Sequence, residues 1–355
     1  MKFFRVLLPV FVFALLCVAA MTGFDKVDAQ TQTQAPKPTV TPTPPIDEEE
    51  GVLKVDTEAV NVLFTAQDKN RRLMLTLKPG DFQLFENGQL QEVSSFSRQV
   101  DLPLSLAILI DTSMSQERTL PEEKAAAATF IESFVRPDKD EVSIISFTGE
   151  STLEQGMTSN VTRLRRAIDG VRLAPQMGYI GGGVVMGTPG INPNSASGST
   201  AVWDAIWVTS EEILGPAPEK TRRAIILLSD GVNTSGKKKL NEAVEAAQRS
   251  EAVIYSIGIG DNFTNGVDRG SLDKVSERTG GRAFFPRDEI ELRKAFQQIQ
   301  EEMRSQYLVS YEPTNPALDG SYRTIEIKVT NPEMQKNKVT VTHRKGYFAK
   351  TEKKK

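Results

Sequence analysis

The hydrophobic positions along the chain change period twice. From Val52 to Ser97, "VLKVDTEAVNVLFTAQD" and "FQLFENGQLQEVSSFS" place β-branched and aromatic residues at alternate positions, the spacing of strands with one buried face. The Asn-Gly pair in "ENGQ" marks a tight turn between two such strands. From about Leu104 to Arg304 apolar runs alternate with segments of helical period. "LSLAILID", "EVSIISFT", "RRAIILLS" and "AVIYSIGIG" predict strands, with "STLEQ" and "RAFFP" as shorter ones. Between them "PEEKAAAATFIESFV", "NVTRLRRAIDGV", "TAVWDAIWVTSEEIL", "KKLNEAVEAAQRS", "SLDKVSERTG" and "EIELRKAFQQIQEEMRSQ" predict helices. Past Gln306 the alternation returns in "QYLVSYEP", "YRTIEIKVT" and "KVTVTHRKGYF", separated by Pro, Asn and Asp-Gly turns.

The central runs are apolar at consecutive positions, so both of their faces must be covered. That predicts an α/β fold: a doubly wound, mostly parallel sheet flanked by helices. Neither β-rich flank has enough strands to bury its own face. Segments 51–100 and 305–350 are therefore expected to pair as one small all-β domain, with the α/β domain, 101–304, inserted between them. In open sheets of this kind ligands bind beyond the carboxyl ends of the strands. Asp111 and Asp230 occupy two of those ends.

The first residues are a separate object. Lys2 and Arg5 precede "VLLPVFVFALLCVAAM", and Val27-Asp28-Ala29 supplies small residues ahead of Gln30, the layout of a secretory signal over 1–29. The expectation is an exported protein, periplasmic or secreted, with no membrane insertion once the signal is removed; left uncleaved, the same segment anchors the chain. Residues 30–50, "QTQTQAPKPTVTPTPPIDEEE", read as a disordered Thr/Pro-rich linker, and 351–355 as a basic tail. Cys17 is the only cysteine and lies within the signal, after the bulky Leu16 rather than the small residue that lipid attachment favours. The exported chain thus has no disulfide, zinc–thiolate site or cysteine nucleophile. A formal net charge of −3 supplies no field that would draw nucleic acid.

The candidate chemistry sits in three short elements. Asp111-Thr112-Ser113-Met114-Ser115 follows the first central strand, Gly198-Ser199-Thr200 opens a helix, and Ser229-Asp230-Gly231 ends another apolar strand. Converging above one sheet edge, they offer two carboxylates and the hydroxyls of Ser113, Ser115 and Thr200, with no His or Cys. An all-oxygen set suits a hard cation, Mg²⁺ or Mn²⁺. Each element alone is also an ordinary helix cap or turn; the weight lies in all three, in order.

D-x-S-x-S, a downstream Thr and a strand-terminal Asp-Gly resemble the metal-ion-dependent adhesion site of the von Willebrand factor type A domain. "DFQLFENGQLQEVSSF" before it and "HRKGYFA" after it resemble the flanks of bacterial secreted proteins related to that family. The resemblance implies a Rossmann-like fold and a non-enzymatic module that grips an Asp or Glu of a partner protein through a divalent cation. It also implies that Ser113, Ser115 and Thr200 ligate the metal directly, while Asp111 and Asp230 act through water. One departure is the long Gly-rich insertion, Met177 to Ser199, ahead of Thr200.

An enzymatic alternative starts from the same strand. An apolar run ending in aspartate also opens phosphohydrolases of the haloacid dehalogenase type, where Asp111 would be the nucleophile. Those resemble D-x-D-x-T, and Ser113 stands where the second aspartate must act as general acid. A serine hydrolase lacks a base, because His343, the only histidine, falls in the C-terminal β segment, where a surface strand position is expected. Trp203 and Trp207 are expected in the core.

Overall fold

The structure, a computed structural model, describes residues 59–98, 102–174, 199–218, 221–260 and 266–351, together with the backbone of 179–180 and 183–184. The signal 1–29, the linker 30–50 and nearly all of the Gly-rich insertion lie outside the described residues.

In the N-terminal flank, β1 (Val60–Gln67), β2 (Phe82–Glu86), β3 (Gln89–Gln91) and β4 (Val93–Arg98) follow the alternating pattern. Asn87 and Gly88, with φ of 49° and 80°, form the two-residue turn joining β2 to β3. Two successive positive φ values are what a type I′ hairpin demands, and Asn-Gly meets that demand at low cost.

The central part contains β5 (Leu104–Asp111), α1 (Leu120–Phe134), β6 (Glu141–Phe147), β7 (Ser151–Thr158) and α2 (Val161–Gly170). The short pair β8 (Tyr179–Ile180) and β9 (Gly183–Val184) comes next, then α3 (Val202–Val208), β10 (Arg222–Ser229), α4 (Leu240–Arg249) and β11 (Ala252–Gly258). It closes with α5 (Arg269–Thr279), β12 (Ala283–Phe284) and α6 (Glu289–Arg304). Six strands form one sheet in the order β12-β11-β10-β5-β6-β7. All neighbours are parallel except β7, which runs antiparallel on β6.

Every residue of β5 and β10 is buried, and the period of two explains how. Leu106, Ile108 and Ile110 point into a core shared with α1, α2 and α6, whereas Ala107 and Leu109 face α3, α4 and α5. Each large side chain buried this way contributes about 1.5–3 kcal/mol. Because the chain lays β6 on one side of β5 and β10 on the other, the connections diverge between β5 and β10. The crevice that results at their carboxyl ends is where doubly wound sheets bind ligands.

The C-terminal flank holds β13 (Tyr307–Tyr311), β14 (Tyr322–Val329), α7 (Pro332–Lys336), β15 (Thr340–His343) and β16 (Gly346–Phe348). The two flanks pair with each other in two four-stranded sheets, β15-β1-β13-β4 and β16-β14-β2-β3. Val62 pairs with Val309, Phe64 with Tyr307, and Leu84 with Ile327. The sheets share one apolar core in which Phe64 stacks on Tyr307 at 5.4 Å and meets Phe82 edge-on at 5.3 Å. At its polar end Glu86 accepts from Tyr311 at 2.7 Å and Tyr347 at 2.9 Å, and pairs with Arg323 at 3.4 Å.

Several expectations change in detail. "STLEQ" is the start of an eight-residue antiparallel edge strand. The helix after Thr200 is α-helical only to Val208; Thr209–Leu214 is a π-helical turn, with Gly215 N donating to Ser210 O at 2.9 Å. "KVTVTHRKGYF" is two strands in different sheets, and "NPEMQK" holds a short helix capped by Asn331. His343 is not a surface residue but is 4 % exposed. Its Nε2 accepts from Ile327 N at 3.2 Å and its Nδ1 bonds Arg344 O at 2.7 Å, while burial lowers its pKa to about 4. Trp203 is in the core, whereas Trp207 is half-buried with the Lys238 ammonium 4.1 Å from its ring centroid.

Candidate metal centre

β5 delivers Asp111 to the crevice as its last residue. The carboxylate has no exposed surface and is held from two sides: Ser113 N donates to Oδ1 at 2.9 Å and Ser229 Oγ to Oδ2 at 2.6 Å. Beyond it the chain makes a 3₁₀ turn, Met114–Gln116, which brings Ser113 Oγ and Ser115 Oγ to 2.9 Å of each other. Gln116 pins this turn to the end of the sheet by donating to Ile259 O at 3.1 Å.

Asp230 leaves β10 next door, 5 % exposed, and its Oδ1 accepts from Val232 N at 2.9 Å. Gly231 permits the bend that follows with φ of 76°; an added Cβ would meet Leu272 at 2.7 Å. Thr200 is placed through backbone bonds. Thr148, just past β6, donates its hydroxyl to Ser199 O at 2.7 Å, and Ala201 N donates to Thr148 O at 2.7 Å. Thr200 N donates to Thr234 Oγ1 at 2.7 Å, and Thr200 O accepts from Thr234 N at 2.9 Å and Ser235 N at 3.0 Å. The loops after β5, β6 and β10 thus meet over the divergence of the sheet.

The electrostatics of this pair of acids are unbalanced. Burial raises Asp111 to about 6, against the opposing hydrogen bonds of Ser229 and Ser113, and Asp230 adds repulsion. Asp230 is raised as well, chiefly by burial, with Ser115 and Val232 holding it down. Among the described residues, the groups that chiefly set each carboxyl's proton affinity include no cationic side chain. Among the described residues there is also no cluster of three or more His, Cys, Asp or Glu able to hold a metal. Two desolvated carboxylates ringed by hydroxyls, without a counter-charge, fit a hard divalent cation whose ligands include neutral oxygens.

Two von Willebrand factor type A domain models match the chain, over residues 106–233 and 190–299. The chain is a von Willebrand factor type A domain protein. No curated protein matches it. Among solved structures, the chain is similar to proximal thread matrix protein 1 from the mussel byssus, with 16% identity, TM-score 0.47, and coverage of 62% of this chain and 51% of that one. The same mussel protein with a zinc-occupied MIDAS motif matches at 18% identity, TM-score 0.47, and coverage of 61% and 49%. A von Willebrand factor type A protein from Catenulispora acidiphila matches at 13% identity, TM-score 0.46, and coverage of 77% and 74%. The chain spans about half the length of the mussel protein.

The structure adds residues to the candidate site that the motif does not name. Ser229 clamps Asp111, Gln116 anchors the 3₁₀ turn, and Thr148 fixes the approach to Thr200. Ser229 was legible in principle. Once Leu228 pairs with Ile110, the next positions on the two parallel strands are Ser229 and Asp111. Glu123, in the first turn of α1, is a third buried acid within electrostatic reach of Asp111 and Asp230, and burial raises it to about 8.

Proposed function

We propose that this VWA domain protein is an exported, non-enzymatic binding module that holds a partner protein through Mg²⁺ or Mn²⁺. Asp111, Ser113, Ser115, Thr200 and Asp230 would hold the ion, with the three hydroxyls as direct ligands and the two aspartates acting through water. With neutral hydroxyls in direct contact, the bound ion keeps enough positive charge to accept a partner's Asp or Glu carboxylate. Specificity then rests on the protein surface around that one bond, which is common to many partners.

The observation that carries this reading is the pair of buried, uncompensated carboxylates among hydroxyls where β5 and β10 diverge. Family membership supports it, since VWA domains are generally interaction modules. The phosphohydrolase reading lacks support: Ser113 occupies the general-acid position, and its hydroxyl is engaged with Ser115. Export rests on the sequence of 1–29 alone. No helix among the described residues is long and apolar enough to cross a membrane.

Calorimetric titration of Mg²⁺ and Mn²⁺ into the wild type and the Ser113→Ala/Ser115→Ala double variant tests the metal site. Saturable binding that the double variant loses, with its circular dichroism unchanged, is expected. Equal affinities would remove the assignment. Pull-down from an envelope extract with and without chelator then tests the partner, whose retention should require the metal.

A further inference from the structure

Gln116 directly follows the last serine of the D-x-S-x-S run, and it is wholly buried. Its Nε2 has two acceptors, Ile259 O at 3.1 Å and Ser115 Oγ at 3.3 Å. Its Oε1 accepts from Thr119 Oγ1 at 3.0 Å. Both ends of the amide are engaged, and chemistry fixes which end is which. Turned over, Oε1 would face Ile259 O, two acceptors with no proton between them. Ile259 is itself tied to the sheet, because its N–H donates to Ser229 O at 3.1 Å.

That orientation decides what the Ser115 hydroxyl does. A hydroxyl has one proton to give and two lone pairs with which to receive. Towards Gln116 it meets an N–H, so there it can only accept. Its proton is directed elsewhere, to Ser113 Oγ at 2.9 Å or to the Asp230 carboxyl, which takes a hydrogen bond from Ser115. Ser113 is matched in the same way to Asp111. A cation held between the two serines would leave Asp230 as the acceptor for the Ser115 proton.

We infer that Gln116 is a positioning residue for the metal centre: by donating to Ser115 Oγ it turns the Ser115 proton towards Asp230 and leaves a lone pair for the ion. The inference rests on the proposed reading in which Ser115 is a metal ligand. A free serine side chain would have to be ordered when the ion arrives, at a cost in affinity. Gln116 orders it beforehand. Through Ile259 the same nitrogen also keeps the serine in place relative to the end of β10, where Asp230 begins.

A double-mutant cycle, read by calorimetric titration of Mg²⁺ into the full chain, tests this. Gln116→Met keeps the length of the side chain but removes the amide. It should weaken Mg²⁺ binding by about tenfold, the effect of one hydrogen bond to a ligand. On a Ser115→Ala background, itself weakened by about tenfold, the same change should add less than about twofold, because no Ser115 hydroxyl remains to be oriented. A Gln116 that merely braces the turn would weaken binding equally on both backgrounds, and equal effects overturn the inference. Should Gln116→Met fail to fold, Thr119→Val leaves the amide in place, frees its oxygen, and carries the same cycle with an effect of about threefold. In the metal-free chain the side-chain amide protons of Gln116 should exchange slowly with solvent in nuclear magnetic resonance spectra, and rapid exchange also overturns the inference. A wild type that binds no Mg²⁺, or a Ser115→Ala variant that binds it as tightly as the wild type, removes the metal reading itself and this inference with it.

Discussion

Glu123→Gln should make the protein more stable at neutral pH, and its effect should vanish in acid. Glu123 has no exposed surface, and neither carboxyl oxygen has a hydrogen-bond partner among the described residues. Thr119 is the side chain best placed to favour the ionised form, but its hydroxyl donates to Gln116 Oε1 at 3.0 Å. Burial, reinforced by Asp111 and Asp230, therefore raises Glu123 from the ordinary 4.5 to about 8. The folded state holds this proton more tightly than the unfolded chain does. Its contribution to stability is complete below pH 4.5 and is lost progressively as the pH rises towards 8. At about 1.4 kcal/mol per pH unit, the roughly 2.5 units between 4.5 and 7 amount to about 3 kcal/mol. Glutamine has nearly the same shape and does not titrate. Urea unfolding of the metal-stripped proteins, followed by circular dichroism from pH 4.5 to 8, should give curves that coincide in acid and diverge by about 3 kcal/mol at pH 7. Parallel pH profiles for the two proteins would refute the buried, unpartnered state of Glu123.

Further expectations follow from other parts of the structure. Asp111, raised to about 6, must lose its proton before it can face a cation, so Mg²⁺ should bind about tenfold more weakly at pH 5 than at pH 7.5; calorimetry at the two values checks this, and equal affinities would contradict it. Glu86→Ala should destabilise the sandwich by about 3–5 kcal/mol, because the buried Arg323 then keeps only the half-exposed Asp319, at 4.0 Å, as a counter-ion. Unfolding midpoints measure it, and a loss below about 1 kcal/mol would show that the carbonyls around Arg323 suffice. Gly346→Ala should cost about 1–3 kcal/mol, since its Cβ would lie 2.4 Å from Arg323 O, a backbone atom with little room to move. A chain ending at Gln306 should leave β1 and β4 open to limited proteolysis, because both lose β13 as a partner; protection equal to that of the full chain would contradict the pairing.

The parts of the fold that were legible in the sequence are those where the pattern and the local chemistry agree. β5 and β10 each carry a run of five consecutive apolar residues, Leu106–Ile110 and Ala224–Leu228, with an aspartate at or just past the strand end, the pattern of a strand covered on both faces. The Asn87-Gly88 hairpin was equally plain. His343 was misplaced because the alternation of "KVTVTHRKGYF" looks continuous, and nothing local reveals that Arg344 and Lys345 carry the chain from one sheet to the other. The burial of His343 is a consequence of that crossover. The candidate metal-site motif rests on residue types, but the clamp of Ser229 on Asp111 depends on the register of two strands and joins residues 118 positions apart in sequence. Glu123 looks like a solvated first-turn acid beside Glu122. Only the packing of α1 on the sheet decides which of the two is buried.

The pairing of β1 with β13 and β15 also dictates an order of assembly. Val60 meets Tyr311 and Phe64 meets His343, so the first described strand waits for some of the last residues of the chain. Everything needed for the six-stranded sheet lies between these partners, in contacts of much shorter range. Loop closure favours the shorter range first. In a chain that emerges amino end first, the inserted domain can therefore collapse while β1 to β4 still lack β13 and β14, exposing apolar Val62, Phe64 and Leu84. That interval is when the protein is most exposed to mispairing with other chains. Folding the α/β domain brings Leu104, the start of β5, and Met303, near the end of α6, into one core. This delivers the two flanks to each other and turns an encounter across some 250 residues into a local one.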